Sequence, residues 1–517
     1  MVSMSADPIS RPRHSPPTVL TPAWLPLAAV GIIFLFAAGA VILAQVRIPH
    51  SDEGHFASGA WEFANHHRLA FPMWTEWVAS LDYCMYVTMP LYFVQLGLWS
   101  QLSGYDISAL RFNSVAWGVL LNWSWFSIVT NITRNCWTGI LALILIALNY
   151  DVMNTASGRY DPMAAALNAA GAAVYLALRE RRLGMAVFLG NCLLAASCVT
   201  HPYAVFGLAW FAVLFTVLDR HRFSLKILAA AMIPYVFAFG GWGIYIAQHP
   251  LEFRAQMSAN ATGRLSALSH PIEAISSEIN IRYLQLFAGF GRDVPIYMRM
   301  KILIILAYAA GFLGCLTTRS IRSDRGKLAI VVIGFVSALF LMFLEGHRWY
   351  IYLIHALPAY SAVLALWLAD LAGRGSRWRV LVMCGVTLFC CYSFATVGYR
   401  LRINDYKTIY QPTLEYLAAQ VGGDDLVMGP GELGTRVGFR AHLLDDASLG
   451  ARNGLYPKWV VVDASYQESI TRRQAAIPGL ASHAAKVLGQ ADLVFERGSG
   501  TRFYRVYRVR DRASGGG

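Results

Sequence analysis

Two adjacent carboxylates and an imidazole follow directly after the first long apolar run of the chain. The stretch IPHSDEGHF, residues 48–56, contains Asp52, Glu53 and His55. A carboxylate in such a position could be a general base that removes a proton from a hydroxyl, which is typically worth about 10²–10⁴ in rate. The same residues also suit a helix start, with Ser51 or Asp52 as the cap and acids in the first turn. Both uses stay open, because one acid could cap while its neighbour does chemistry.

Further ionisable and aromatic residues lie at the ends of later apolar runs. They are Arg159, Asp161, His201, Arg292, His347, Arg348, Tyr350 and Tyr352. Ionisable residues near the hydrocarbon cost about 2.5–3.5 kcal/mol each, and they usually face a cavity or a partner. Carboxylates with arginines suit a reaction that releases an anionic leaving group, since cations stabilise the charge on a departing phosphate. Local ion pairs, helix ends and packing interfaces are the alternative explanation for these residues.

Composition defines the class of protein. Of the 517 residues, 56% are hydrophobic and 14% are charged, with a mean hydropathy of +0.45. Soluble domains carry about 25% charged residues, and runs of about twenty apolar residues are typical of bilayer-spanning helices. The chain is therefore expected to be a polytopic α-helical membrane protein. Its net charge of +13 lies in short loops between apolar runs, so no nucleic-acid partner is expected.

The apolar runs predict about eleven transmembrane helices. They cover residues 23–46, 111–131, 138–153, 162–178, 184–199, 203–218, 226–247, 301–317, 328–344, 350–370 and 379–398. Basic residues concentrate in alternate loops, including LRERRLG, DRHRFSLK and TTRSIRSDRGK. Because basic loops stay in the cytoplasm, we expect a cytoplasmic N-terminus. The candidate site residues then all lie on the extracytoplasmic side of the plasma (inner) membrane.

This orientation defines the expected regions of the chain. Residues 1–22 are a disordered cytoplasmic lead, and residues 23–398 are the transmembrane part, with outer loops 47–110, 154–161 and 248–300. The apolar run 83–102 could span, but spanning would put every later basic loop outside. We therefore expect it to form a juxtamembrane or re-entrant helix in the first outer loop.

Residues 399–517 are expected to form a separate extracytoplasmic domain. Strand-like runs DLVMG, WVVVDAS, ADLVFER and TRFYRVYRV alternate with helical stretches, which indicates a small α/β fold, and the last two strands form a hairpin. Gly429, Gly431 and Gly434 match G-x-G-x-x-G after a strand. A dinucleotide site also needs a helix there and an acid about twenty residues on. Pro430 and the early HLLDD do not fit, so no nucleotide cofactor is expected.

Several motifs in this order resemble those of the GT-C superfamily of membrane glycosyltransferases. The acidic pair follows the first span, MPLYF (89–93) is similar to a PPLYY-type segment, and SALRFNSVAWG (108–118) is similar to the entry to the second span. SGRYDPMAAAL (157–167) resembles the second acidic motif, and HRWYIYLIHALPAY (347–360) resembles the late aromatic and basic motif. The likeness is greatest to the protein O-mannosyltransferase and lipid A aminoarabinose transferase branch. The segment around MPLYF carries no lysine, which leaves one phosphate contact of the aminoarabinose transferases without a counterpart.

The resemblance implies an inverting transfer of a sugar from a polyprenyl-phosphate donor to a hydroxyl of a glycan, lipid or protein. By position, it implies Asp52 or Glu53 as base, and Asp161 as an organiser of the acceptor or a metal. It implies donor-phosphate contacts from Arg348, Arg292 and Tyr352. Further substrate contacts are expected from His55, Arg159, His201, His347 and Tyr350. Some members use a divalent cation, Mg²⁺ or Mn²⁺, and here Asp52, Glu53 and Asp161 could supply ligands.

A transporter or flippase of lipid-linked sugars is the alternative function. Such a protein is expected to have charged residues at mid-membrane and paired half-repeats. Neither pattern is evident in the sequence, which favours the enzyme.

Overall fold

The structure is a computed structural model that describes residues 24–261, 264, 266–291, 294–439, 443–474 and 479–510. The predicted lead 1–22 and Arg292 lie outside these residues. The α-helices of the described chain are α1 (Trp24–Val46), α2 (Ser51–His66), α3 (Leu91–Ser103), α4 (Ile107–Thr133), α5 (Cys136–Ala147), α6 (Tyr150–Met153), α7 (Asp161–Leu178), α8 (Leu183–Cys198), α9 (Ala204–Leu218), α10 (Leu225–Ile246), α11 (Pro250–Ala261), α12 (Pro271–Ser277), α13 (Ile296–Arg299), α14 (Lys301–Thr317), α15 (Arg319–Arg322), α16 (Arg325–Leu344), α17 (Leu357–Gly373), α18 (Ser376–Ile403), α19 (Gln411–Gln420), α20 (Gly434–Val437), α21 (Ala464–Gln474) and α22 (Leu480–Gly489).

Nine of the eleven predicted spans each fall on one of these helices, and the other two, 138–153 and 350–370, are each divided. Within the described residues, six helical segments are long and apolar enough to cross a membrane, namely Trp24–Val46, Asp161–Leu178, Leu225–Ile246, Ile296–Thr317, Arg325–Leu344 and Ser376–Gln420. Four shorter apolar helices, α5, α8, α9 and α17, accompany them. These helices confirm a multi-pass helical membrane protein, while the number eleven stays a prediction.

Two predicted spans begin or end differently in the structure. The predicted span 138–153 is divided into α5 and α6, because the Asn149 side chain accepts a hydrogen bond from the Asp151 backbone N–H (2.8 Å) and starts a new helix. The predicted span 350–370 begins with a 3₁₀ segment, Tyr350–His355, and α17 follows with Pro358 in its first turn. Proline lacks a backbone N–H but fits the first helical turn.

Residues 47–110, predicted to be the first outer loop, contain helices α2 and α3 and are called the loop layer below. Helix α3, which covers the second half of the apolar run 83–102 and ends at Ser103, is 13 residues long and lies against α2. A Cβ atom added at Gly97 would be 2.9 Å from the carbonyl oxygen of Ala60, so the two backbones are in close contact. The Leu91 N–H donates to the carbonyl of Val199 (2.9 Å) and joins this layer to the end of α8.

The C-terminal residues form a five-stranded mixed sheet with the order β2-β1-β3-β5-β4. The strands are β1 (Val427–Met428), β2 (Leu443–Leu444), β3 (Trp459–Asp463), β4 (Ala491–Ser499) and β5 (Arg502–Val509). Strand β1 pairs parallel with β2 and β3, whereas β5 pairs antiparallel with β3 and β4. The predicted strands, helices and final hairpin of a small α/β unit are all present.

This C-terminal sheet unit shares a hydrophobic core with the loop layer, residues 47–110. Phe56, Phe71 and Tyr92 of the loop layer belong to the same buried cluster as Leu433 and Tyr504 of the C-terminal sheet unit. Burial of apolar side chains stabilises a fold by about 25 cal/mol per Å² of apolar surface removed from water. The cluster therefore holds the sheet unit against the loop that contains the acidic pair.

Candidate active site

Helix α2 begins with a reciprocal cap that orients the acidic pair. The N-cap is His50, not Ser51 or Asp52 as predicted, because His50 has extended backbone angles and its Nδ1 accepts from the Asp52 N–H (3.2 Å). The Glu53 carboxylate accepts from the His50 N–H (3.1 Å) and completes a capping box. Both acids therefore lie in the first turn, where the helix dipole favours negative charge.

Both carboxylate oxygens of Glu53 are occupied by hydrogen bonds to other elements. Its two oxygens accept from Arg111 Nε (2.7 Å) and Nη2 (2.9 Å), and one also accepts from the Gly158 N–H (3.1 Å). Arg47 lies 3.7 Å away, and the Glu53 side chain is 2% exposed. Burial by itself raises the pKa of Glu53, but the charges of Arg111 and Arg47 and these hydrogen bonds outweigh it and lower the pKa to about 2. Glu53 is thus an ionised carboxylate that joins α2, α4 and the segment 154–161, which leads into α7.

Asp52 has more open surroundings than its neighbour. Its side chain is 20% exposed, and one oxygen, Oδ2, forms an ion pair with Arg159. The other oxygen, Oδ1, lies 3.9 Å from His55 Nδ1, which is too far for a hydrogen bond. Arg159 Nε also donates to Asp161 Oδ2 (2.9 Å). One guanidinium therefore joins the two acidic motifs of the sequence, and Asp52 keeps an oxygen available to a substrate.

Asp161, His201 and His355 form a buried group that could hold a metal ion. One ligand atom from each lies within 4.8 Å of the others. Asp161 Oδ1 and both ring nitrogens of His355 are buried without a hydrogen-bond partner among the described residues. His201 Nδ1 accepts from the Tyr203 N–H (3.1 Å), so binding through Nε2 would require this ring to change tautomer.

The chemistry of these donors indicates which metals fit. Two imidazoles with one carboxylate suit Zn²⁺ or another transition metal better than Mg²⁺, which prefers oxygen ligands. Only Asp161 of the predicted ligands Asp52, Glu53 and Asp161 belongs to this group. The carboxylates of Asp52 and Glu53 instead face arginines.

Tyr352 and Arg264 lie next to this group. The Tyr352 side chain is fully buried, and its ring contacts that of Tyr203 (centroids 4.6 Å apart). Arg264 Nη1 donates to the Tyr352 hydroxyl (3.4 Å), and its guanidinium lies 5.9 Å from the centre of that ring. Within the described part of the chain, Arg264 has no carboxylate partner. An arginine of this kind can bind an anion.

Three predicted substrate residues, Arg348, His347 and Tyr350, lie outside the group formed by Asp161, His201 and His355. Arg348 is buried and donates to Glu278 (3.1 Å), to the Ser277 hydroxyl (3.1 Å) and to backbone carbonyls. His347 and Tyr350 are exposed. The structure therefore brings Asp52, His55, Arg159, Asp161, His201 and Tyr352 close together, and Arg348 belongs to a separate ion-pair cluster with Glu278, Arg282 and Glu345.

Solved structures of low sequence identity have the same architecture. ArnT from Cupriavidus metallidurans bound to undecaprenyl phosphate matches with a TM-score of 0.51, covering 96% of this chain and 99% of that chain at 12% identity. AglB from Archaeoglobus fulgidus, in complex with an inhibitory peptide and a dolichol-phosphate, matches with a TM-score of 0.51 over 95% of this chain and 75% of that chain at 13% identity. The arabinofuranosyltransferase AftD from Mycobacteria matches with a TM-score of 0.51 over 95% of this chain and 40% of that chain at 13% identity.

These three proteins are GT-C glycosyltransferases. The chain has the GT-C fold. The predicted resemblance is thereby confirmed at the level of fold, which is what identities of 12–13% can show. No protein-family model and no curated protein sequence matches the chain.

Four residues near the candidate site have no role in the predictions made from the sequence. Arg111, the partner of Glu53, lies within the quoted motif SALRFNS, and His355 lies within the quoted late motif. The resemblance of these motifs implies no role for either residue. Arg264 is one arginine in the long segment 248–300. Asp445 contacts His55 (2.8 Å) but lies 390 residues from it in the sequence. Neither has a local pattern that could have identified it.

Proposed function

We propose that this chain is a membrane glycosyltransferase that moves a sugar from a polyprenyl-phosphate donor to a hydroxyl of a glycan, lipid or protein on the extracytoplasmic face. The observation that carries the proposal is the pairing of Asp52 with Arg159, which also binds Asp161, under the outer-loop layer of a GT-C fold. The structural neighbours support the donor class, because ArnT was solved with undecaprenyl phosphate and AglB with a dolichol-phosphate.

In the proposed reaction, the acceptor oxygen attacks the anomeric carbon as the bond from that carbon to the phosphate oxygen breaks. Asp52 Oδ1 takes the acceptor proton, and the electron pair of the broken bond leaves on the polyprenyl phosphate. This single displacement inverts the anomeric configuration. Arg264, with Tyr352 beside it, is the proposed contact for the departing phosphate, where a cation stabilises developing charge. Arg348 is not part of this proposal because Glu278 and backbone carbonyls already occupy its donors.

Substitution of Asp52 tests the base assignment. In a deletion strain, the unused lipid-linked sugar should accumulate, and the wild-type gene should clear it. We expect Asp52→Asn to reach the membrane at normal levels but to slow transfer about 10²–10⁴-fold. Asp82→Asn, an exposed acid of the same outer loop, is the matched control and should clear the lipid normally. Normal clearance by Asp52→Asn would show that Asp52 is not the base.

A divalent cation held by Asp161, His201 and His355 is the proposed cofactor. AglB has also been solved with Zn and sulfate, which supports a metal in a protein of this fold. A bound cation would act there as a Lewis acid that stabilises negative charge on oxygen.

Metal content tests this cofactor without an activity assay. Protein purified without chelator should contain about one metal ion per chain by elemental mass spectrometry, and His355→Ala should reduce that amount strongly. His347→Ala, an exposed histidine in the same segment, should leave it unchanged. Equal metal content in the two variants would contradict the proposed site.

A further inference from the structure

The C-terminal sheet unit touches helix α2 beside the acidic pair. Gly54 of α2 and Gly431, in the turn after β1, meet backbone to backbone. A Cβ atom at Gly54 would be 2.0 Å from the carbonyl carbon of Gly431, and a Cβ atom at Gly431 would be 2.9 Å from the ring of His55. Since only glycine permits such an approach, the G-x-G-x-x-G segment has a packing role here.

This contact brings Asp445 against the ring of His55. Asp445 Oδ2 lies 2.8 Å from His55 Nε2 and also accepts from the Gly431 N–H (3.1 Å). The Asp445 N–H donates to the carbonyl of Met73 (2.8 Å), so the aspartate is held from two sides. The His55 ring stacks on Trp74, with centroids 4.3 Å apart and planes 15° apart. His55 therefore has a fixed ring orientation.

The same contact determines which nitrogen of His55 carries the hydrogen. A carboxylate is a hydrogen-bond acceptor only, so Nε2–H is the donor to Asp445, and in the tautomer with its single hydrogen on Nε2 the other nitrogen, Nδ1, has a lone pair. Nδ1 is buried without a hydrogen-bond partner among the described residues, and it faces Asp52 Oδ1 at 3.9 Å. A lone pair and a carboxylate oxygen cannot hydrogen-bond to each other, which is consistent with this separation.

We infer that Asp445 of the C-terminal sheet unit is a positioning residue for Asp52, and that it acts through His55. The inference rests on the proposed function. When Asp52 Oδ1 takes the acceptor proton, the new O–H becomes a donor that His55 Nδ1 can accept. The proton stays on Asp52, and the negative charge leaves on the phosphate. During transfer the proton lies between the acceptor oxygen and Asp52 Oδ1. Once it is on Oδ1, the O–H can turn toward Nδ1, 3.9 Å away in this structure, and approach it to form a hydrogen bond. This bond is open only to the protonated carboxyl, so it favours proton uptake and strengthens Asp52 as a base. The sheet unit is thus a component of the active site.

Steady-state kinetics of purified full-length variants test the inference. The donor is the lipid-linked sugar fraction extracted from the deletion strain, and the readout is its conversion to lipid phosphate. Asp445→Ala and His55→Ala should each lower kcat about 10- to 100-fold with little change in KM, since misplaced catalytic groups cost about this much. The double variant should be no slower than His55→Ala alone, because Asp445 acts through that ring. Asp445→Asn keeps an acceptor oxygen and should retain more kcat than Asp445→Ala.

Two controls separate positioning from a structural role. Arg473→Ala removes an ion pair with Glu76 at the same interface but leaves the contact of Asp445 with His55 in place, and should leave kcat unchanged. Asp446→Ala removes hydrogen bonds within its own loop, to Ser448 and Gly450. It should lower the melting temperature without the selective loss of kcat.

Several outcomes would overturn the inference. These are an unchanged kcat in Asp445→Ala, a loss of kcat that Arg473→Ala reproduces, or single-variant effects that multiply in the double variant. Failure of the proposed function itself would give a different result. The wild-type protein would convert no donor, or the Asp52→Asn variant would remain active. Either result would also overturn the inference about Asp445.

Discussion

At the scale of single residues, Asp52 and Glu53 are neighbours with different environments. Glu53 is buried with Arg111 and Arg47, and its pKa is lowered from 4.5 to about 2. Because the folded-state pKa lies below the unfolded value, the ion pair stabilises the fold above about pH 4.5. That stability is lost as the pH falls from about 4.5 through about 2. Asp52 lacks such a buried pairing on its Oδ1 side, which leaves it available for chemistry.

Glu53→Gln should therefore destabilise the protein rather than selectively slow catalysis. Removing one partner of a buried ion pair typically costs about 3–5 kcal/mol, since the remaining charge stays buried and unpaired. Thermal unfolding in detergent should show a melting temperature far below that of wild type at pH 7. The difference from wild type should be smaller near pH 3, where the wild-type ion pair itself weakens. Asp52→Asn is the matched comparison and should unfold like wild type at pH 7. A Glu53→Gln protein of normal stability would contradict the structural role.

At the scale of elements, helix α2 meets the turn after β1 through two glycines. The added Cβ of Gly54→Ala would strike the Gly431 backbone at 2.0 Å, and backbone cannot rotate away as a flexible side chain can. Overpacking typically costs about 1–3 kcal/mol. We expect Gly54→Ala to loosen the C-terminal sheet unit, seen as faster proteolytic release of this unit and a lower melting temperature.

The matched control for that substitution is Gly240→Ala in α10. An added Cβ there has no neighbour within 4 Å, and alanine is the better helix former. It should leave both measurements unchanged or raise the melting temperature slightly. Equal behaviour of the two variants would show that the glycine contact does not hold the sheet unit in place.

At the scale of the whole molecule, the contact of the sheet unit with α2 links two distant parts of the chain. Since α2 directly follows α1, the end of α1 and the C-terminal sheet unit must lie on the same side of the membrane. Basic loops predict that this is the extracytoplasmic side. Alkaline phosphatase fused to the C-terminus should therefore be active, whereas fusions after Arg134 and Gly184 should be inactive. An inactive C-terminal fusion with active loop fusions would reverse the orientation and exclude an extracytoplasmic site.

Much of the fold was predictable from local properties of the sequence. Membrane helices follow from the apolar content of about twenty consecutive residues, so most predicted spans coincide with a helix, and only 138–153 and 350–370 are divided. The alternating strands and helices of residues 427–509 were also evident. The cap of α2 was not predicted correctly, because His50 is an uncommon capping residue and its role depends on the orientation of its ring.

The sequence by itself determined the membrane class, the order of the elements and the two acidic motifs around Asp52 and Asp161. Only the tertiary structure decided which acid of the adjacent pair has a free oxygen. Arg111 lies 58 residues from Glu53, and Asp445 lies 390 residues from His55. Hydrophobicity and helix propensity act over a few turns of chain, whereas a carboxylate's partners depend on which distant elements pack beside it. The role of each carboxylate therefore follows from packing.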